Sequence, residues 1–136
     1  MKKILAGIIM AVLLIGCTSD SNINADGIHV LNNRLFETQL MEILLNQEEF
    51  IGTTIRYEGI FISAPWLSVD ETIFIVYRYV DGCCGPEPRG MEVYLNDIEP
   101  FPDNTEVEVT GVVSQFEADG RSFLRLDVIS LVESSG

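Results

Sequence analysis

Apolar residues Phe36, Leu40, Ile43, Leu44 and Ile51 recur at spacings of three, four and seven. This period gathers them on one face of an α-helix. The spacing predicts a helix over 36–51, with Asn32 and Asn33 placed to cap its start, Gly52 just past its end and an interruption near Asn46. After Gly52 the period falls to two. Ile55, Tyr57, Gly59 and Phe61 alternate with Arg56, Glu58, Ile60 and Ile62, which is the pattern of a strand of about ten residues. Further strands are predicted over Thr72 to Val80, Gly90 to Leu95, Thr105 to Phe116 and Ser122 to Val132, each rich in β-branched or aromatic residues and bounded by Gly, Pro, Asp or Asn. Ala118-Asp119-Gly120 joins the last two as a hairpin, because Asp-Gly readily takes the positive φ such a turn requires. Gly27 to Leu31 predicts a short leading strand.

Five short strands in roughly 80 residues are too few for a two-sheet sandwich and suit a small closed barrel of the OB type. The expected fold is therefore mainly β: a five-stranded OB-like barrel preceded by one helix, with an SH3-like barrel as the competitor. Gly59 and Gly111 lie inside strands, where glycine marks a bulge or tight bend. The helix that usually joins the third and fourth OB strands is not expected, because Asn96 to Asn104 contains Pro100 and Pro102.

The first residues change the picture of where this barrel resides. Lys2 and Lys3 precede an apolar run from Ile4 to Ile15, followed by Gly16 and Cys17. A charged start, an apolar stretch of about 7–15 residues and a small residue before the cut form an export signal. A permanent span would need ~20 apolar residues. Cys17 directly after Leu14-Ile15-Gly16 matches the lipoprotein pattern, in which that thiol carries the lipid. The expected organisation is a lipoprotein signal peptide at 1–16, lipidated Cys17 and a polar tether at 17–33, and the helix-plus-barrel domain at 34–136. The expected location is the extracytoplasmic face of a bacterial membrane, held by acyl chains such as palmitate.

The whole chain carries a formal charge of −13. Loss of residues 1–16 removes both lysines and leaves six arginines against 21 acids, a net charge of −15. Such a surface repels phosphate backbones and anionic headgroups, so the expected partners are the membrane through its lipid and an envelope protein, with no nucleic acid. Metal cations remain compatible with it.

Reactive residue types gather in one stretch, Tyr77 to Gly90, which reads as a loop shaped by three glycines and two prolines. Cys83 and Cys84 there have three uses: a vicinal disulfide, small side chains closing the barrel, or thiolate ligands for a soft metal. Zinc prefers four ligands, and Asp81, Glu87 and His29 are the candidates to complete such a site. Thiol redox chemistry is a third-ranked reading, since exchange enzymes use Cys-x-x-Cys.

Leu40 to Asn46, Phe50 to Ile55 and Glu58 to Phe61, then Arg78-Tyr79-Val80 with Cys83-Cys84, then Val107 to Gly111, occur in an order that resembles the soluble C-terminal domain of YcgQ-like permease-associated bacterial membrane proteins. The resemblance covers roughly Phe36 to Val132. It implies an OB-like barrel and a link to zinc handling, and it points to Cys83 and Cys84 alone as functional positions.

Elsewhere the chemistry is sparse. His29 is the sole histidine, which leaves no second base for a nucleophilic triad. Trp66 with Tyr57, Tyr77, Tyr79 and Tyr94 could form an aromatic binding face, although alternating aromatics more often pack. Asp97, Glu99 and Asp103 lack the spacing of a calcium loop and read as a solvated segment. The expected function is a non-catalytic, membrane-anchored binding module, with a zinc-handling accessory protein as the alternative.

Overall fold

The computed structural model describes residues 23–66 and 71–135. The signal peptide and Cys17 lie outside the described residues. The chain runs β1 (His29–Val30), α1 (Phe36–Leu45), α2 (Gln47–Phe50), β2 (Thr54–Pro65), β3 (Thr72–Gly82), β4 (Gly85–Tyr94), β5 (Thr105–Ala118) and β6 (Arg121–Glu133).

Strand β2 pairs antiparallel with β5 from Thr54↔Val112 to Phe61↔Thr105, and with β3 from Ile60↔Tyr77 to Pro65↔Thr72. Its first half thus serves one neighbour and its second half the other. Strand β3 continues to β4, β4 runs parallel to β6 over Glu92 to Tyr94, and β6 returns antiparallel to β5. The ring β2-β3-β4-β6-β5 closes on β2. That closure, with a parallel pair between the third and fifth barrel strands, is an OB barrel and not the SH3-like alternative.

The close crossing at the middle of β2 explains Gly59. A Cβ at that position would lie 2.7 Å from the Tyr77 carbonyl oxygen and 2.8 Å from Val76 Cγ1, so only a bare backbone lets β2 pass from one partner to the other. The β5–β6 register shifts beside Gly111: Thr110 pairs with Ser130 and Gly111 with Val128, so the extra residue is Ile129 on β6, opposite the glycine.

Alternate residues of the strands fill the interior. Ile55, Tyr57, Phe61, Val76, Val107, Val109 and Leu126 are essentially inaccessible to solvent. Helix α1 adds Phe36, Leu40 and Ile43 to the same core, together with Leu31 just before it. Leu44 and Ile51 do not join them. Leu44 lies at the edge of the apolar face and is exposed, and the helix breaks at Asn46, so Ile51 no longer follows the phase of α1.

The asparagine caps are corrected as well. The residue at the cap position is Leu35, which makes no side-chain cap. Asn32 instead forms a turn, its Oδ1 accepting from the Arg34 N–H at 2.8 Å, while its own N–H donates to Oε1 of buried Gln39 at 2.7 Å. Asn33 Oδ1 accepts from Arg78 Nη1 at 2.7 Å. The segment assigned to a tether is structured from Ile23 onward. Ile23 bridges His29, and β1 lies parallel to β2 through His29↔Ile55 and Val30↔Arg56.

The connection Asn96 to Asn104 holds no helix, as its prolines predict, and Ile98 and Phe101 cover the core from it. Asp103 ties this connection to β2 by accepting from Ser63 N–H at 2.8 Å and Ser63 Oγ at 2.9 Å.

Candidate ligand cleft and dithiol arm

The predicted Tyr77 to Gly90 loop is a hairpin. Strand β3 extends to Gly82 and β4 begins at Gly85, so Cys83 and Cys84 form its two-residue turn. Five pairs, from Arg78↔Arg89 to Gly82↔Gly85, lie beyond the last β2–β3 pair and before the β4–β6 pairs begin. They form a two-stranded arm. Pro86 and Pro88 occupy alternate positions of β4, and the continuous ladder with β3 requires their missing N–H groups to face the open edge. Proline is tolerated there, which is why a strand survives in a sequence that reads as a loop.

Cys83 and Cys84 are exposed free thiols with Sγ atoms 3.4 Å apart. Glu87 is bound by Arg89 at 2.6 Å. Asp81 lies on β3 opposite Pro86. His29 sits on β1, its ring edge-on to Phe50 at 5.8 Å. Among the described residues no three His, Cys, Asp or Glu side chains converge as a metal group.

The predicted aromatic face divides into three parts. Tyr57 is buried inside the barrel, and its hydroxyl donates to the Val76 carbonyl at 2.8 Å. Tyr77 and Tyr79 pair edge-on at 5.4 Å on the outside of β3. Trp66 and Tyr94 line a different surface, with partners that linear reading does not connect to them. Trp66 meets Phe123 at 5.5 Å and Phe116 at 6.2 Å, and Phe116 stacks on Phe123 at 5.6 Å. The Arg125 guanidinium lies 4.2 Å from the Tyr94 ring centroid and 5.2 Å from that of Phe116.

Trp66, Tyr94, Phe116 and Arg125 border a cleft of about 430 Å³, and Phe123 supports Trp66 and Phe116 from beside it. Its volume falls within the ~300–1,000 Å³ common for small-molecule sites. Strand parity builds it: Glu92 and Tyr94 point outward between inward Met91 and Val93, and Arg125 points outward beside inward Leu126. Parallel pairing then sets Glu92 directly beside Arg125. Among the described residues, Glu71, Glu92, Glu117 and Asp119 supply the acids around the cleft and Arg125 its cation. Arg125 is already engaged, its Nε lying 3.2 Å from Asp127 Oδ1. Burial pushes the Glu92 carboxyl above the usual range, with Arg125 pulling it partly back. The signal available in the sequence was the outward parity of Phe116, Phe123 and Arg125 on strands otherwise filled inward. It becomes a site only when the ring of strands closes.

No protein-family model matches the chain, and no curated protein sequence matches it. Among solved structures the chain is similar to a small single-stranded DNA-binding protein from Streptomyces coelicolor, at 11% identity and a TM-score of 0.40, covering 62% of this chain and 94% of that one. The expectation of no nucleic-acid partner does not stand, because it rested on net charge, and charge summed over a whole chain does not describe one binding face. Single-stranded DNA binding is named of that similar protein alone.

Proposed function

We propose that the chain is a membrane-anchored, extracytoplasmic binding module without catalytic activity. Its cleft at Trp66, Tyr94, Phe116 and Arg125 takes a basic segment of an envelope protein. The single observation that carries this reading is an aromatic-walled cleft ringed by carboxylates. Arg125 already lies over the Tyr94 and Phe116 rings, which leaves Trp66 as the aromatic offered to an incoming cation, worth roughly 0.5–2 kcal/mol. The surrounding acids add attraction at longer range.

Trp66 is the sole tryptophan, so its fluorescence reports directly on the cleft. Titration of the full chain with short Lys/Arg-bearing peptides is expected to change that emission saturably. Glu92→Gln combined with Glu117→Gln should weaken the response by about tenfold, equivalent to ~1.4 kcal/mol. Because the Glu92 pKa is raised, the carboxylate takes up its proton earlier than an ordinary one on acidification, and peptide binding should weaken correspondingly early. A single-stranded oligonucleotide is the competing probe. Tighter saturable binding of the oligonucleotide at physiological salt would replace the peptide reading.

The anchor rests on the Leu14-Ile15-Gly16-Cys17 pattern. Cys17→Ala is expected to abolish labelling by a radioactive or clickable fatty acid and to release the protein from membranes. Continued labelling of that variant would remove the lipoprotein assignment.

A further inference from the structure

We infer that the Cys83-Cys84 pair is half of a zinc site, completed by the same pair from a second copy of this chain. This proposal stands on the arm and not on the ligand cleft.

Soft thiolates select zinc or monovalent copper among the common ions. The spacing of the pair decides between them. With Zn–S bonds of about 2.3 Å, sulfurs 3.4 Å apart subtend about 95° at a shared ion, near the tetrahedral angle and far from the line that two-coordinate copper adopts. Zinc in a closed structural site takes four ligands. One arm tip supplies two. Glu87 is held by Arg89, and among the described residues no third donor converges on the thiols. A second arm tip supplies the missing two with the same bite.

The arm also makes the meeting of two copies feasible. Two barrels of this charge repel each other at contact, and the screening length at physiological salt is ~8 Å. The five arm pairs extend roughly 15 Å past the barrel ladder, at about 3.3 Å per residue. The root of the arm, Arg78 to Asp81, lines a cleft with Asn33, Arg34 and Glu37, so two arms joined tip to tip meet through their ends and not through the acidic barrel walls. The arm is braced at its root, where Arg78 Nη1 donates to Asn33 Oδ1 and to the Glu58 carbonyl, and where Val80 leans on the core. Its end is open, with Cys83, Cys84, Gly85 and Pro86 all exposed. Binding converts four thiols and one Zn²⁺ into a tetrathiolate of net charge −2 with release of four protons, so acid should dissociate it.

The test uses the full chain in non-ionic detergent with a thiol-free reductant, followed by native mass spectrometry and sedimentation. The expected result is one zinc per two chains, dimerisation that follows zinc stoichiometrically, and with cobalt a tetrahedral tetrathiolate spectrum. Cys83→Ser with Cys84→Ser should remain metal-free and monomeric with an unchanged near-ultraviolet circular dichroism spectrum. One zinc per single chain, zinc uptake without dimerisation, a dimer that forms equally without zinc, or no uptake by the reduced protein would each overturn the proposal. The ratio of metal to wild-type chain decides the matter even if a variant folds poorly.

Discussion

Phe61→Ala is expected to destabilise the barrel by about 3–5 kcal/mol, the range for emptying a fully buried aromatic position. Phe61 is completely inaccessible to solvent, and its ring stacks on Phe74 at a centroid separation of 5.5 Å. Its backbone stands at the seam of the barrel, opposite Val76 on one side and Thr105 on the other, and its carbonyl accepts from the Asn104 N–H at 2.8 Å. The surrounding backbone is therefore fixed by two ladders and cannot collapse into the void, which places the cost toward the upper end. Domains of this size hold only ~5–15 kcal/mol in total. At ~4–8 °C per kcal/mol, the melting temperature should fall by more than 10 °C. Urea unfolding of the variant checks this, and a loss below about 1.5 kcal/mol would show that the seam is not where the core is tightest.

The elements most legible in the sequence are those whose period is set by burial on one side. Ile55, Tyr57 and Phe61 alternate because one face of β2 is dry, and Phe36, Leu40 and Ile43 follow the helical period because one stripe of α1 meets the same core. The Asp119-Gly120 turn was readable from backbone chemistry alone, and both residues have positive φ. Elsewhere tertiary context prevailed. In the β3–β4 arm the alternation is confined to the β3 side, where Val80 packs on the core between exposed Tyr79 and Asp81, and Pro86 and Pro88 look like loop residues until their side of the strand is known. Leu44 and Ile51 satisfied a spacing rule but are left exposed by the described residues. The cleft was hidden for a different reason. Trp66, Tyr94, Phe116 and Arg125 come from four strands or strand ends, and only closure of the ring makes them neighbours. The cysteine pair was visible as chemistry but not as geometry, because its place at the tip of an arm depends on where β3 ends.

Between pH 10 and 12 the protein is expected to lose about 1.4 kcal/mol of stability per pH unit through Tyr57 alone. Tyr57 is 1% exposed, and its hydroxyl donates to the Val76 carbonyl at 2.8 Å while burial holds its pKa far above the ordinary value of 10.0, only partly offset by the Met91 backbone amide. In the unfolded chain the same phenol ionises near pH 10. Above that pH the unfolded state has released a proton that the folded state retains, so each further unit favours unfolding; below it both states are protonated and the group adds no slope. Tyr57→Phe removes the ionisable group and should flatten this part of the alkaline limb. At pH 7 the same variant should cost about 1–3 kcal/mol, because the Val76 carbonyl is left buried without its donor. The two effects have opposite consequences, so the stability curves of wild type and Tyr57→Phe should approach and then cross as pH rises above 10. Parallel curves through pH 12 in chemical denaturation would mean that Tyr57 ionises without unfolding the barrel, and that its hydroxyl reaches water by a route the closed ring of strands does not provide.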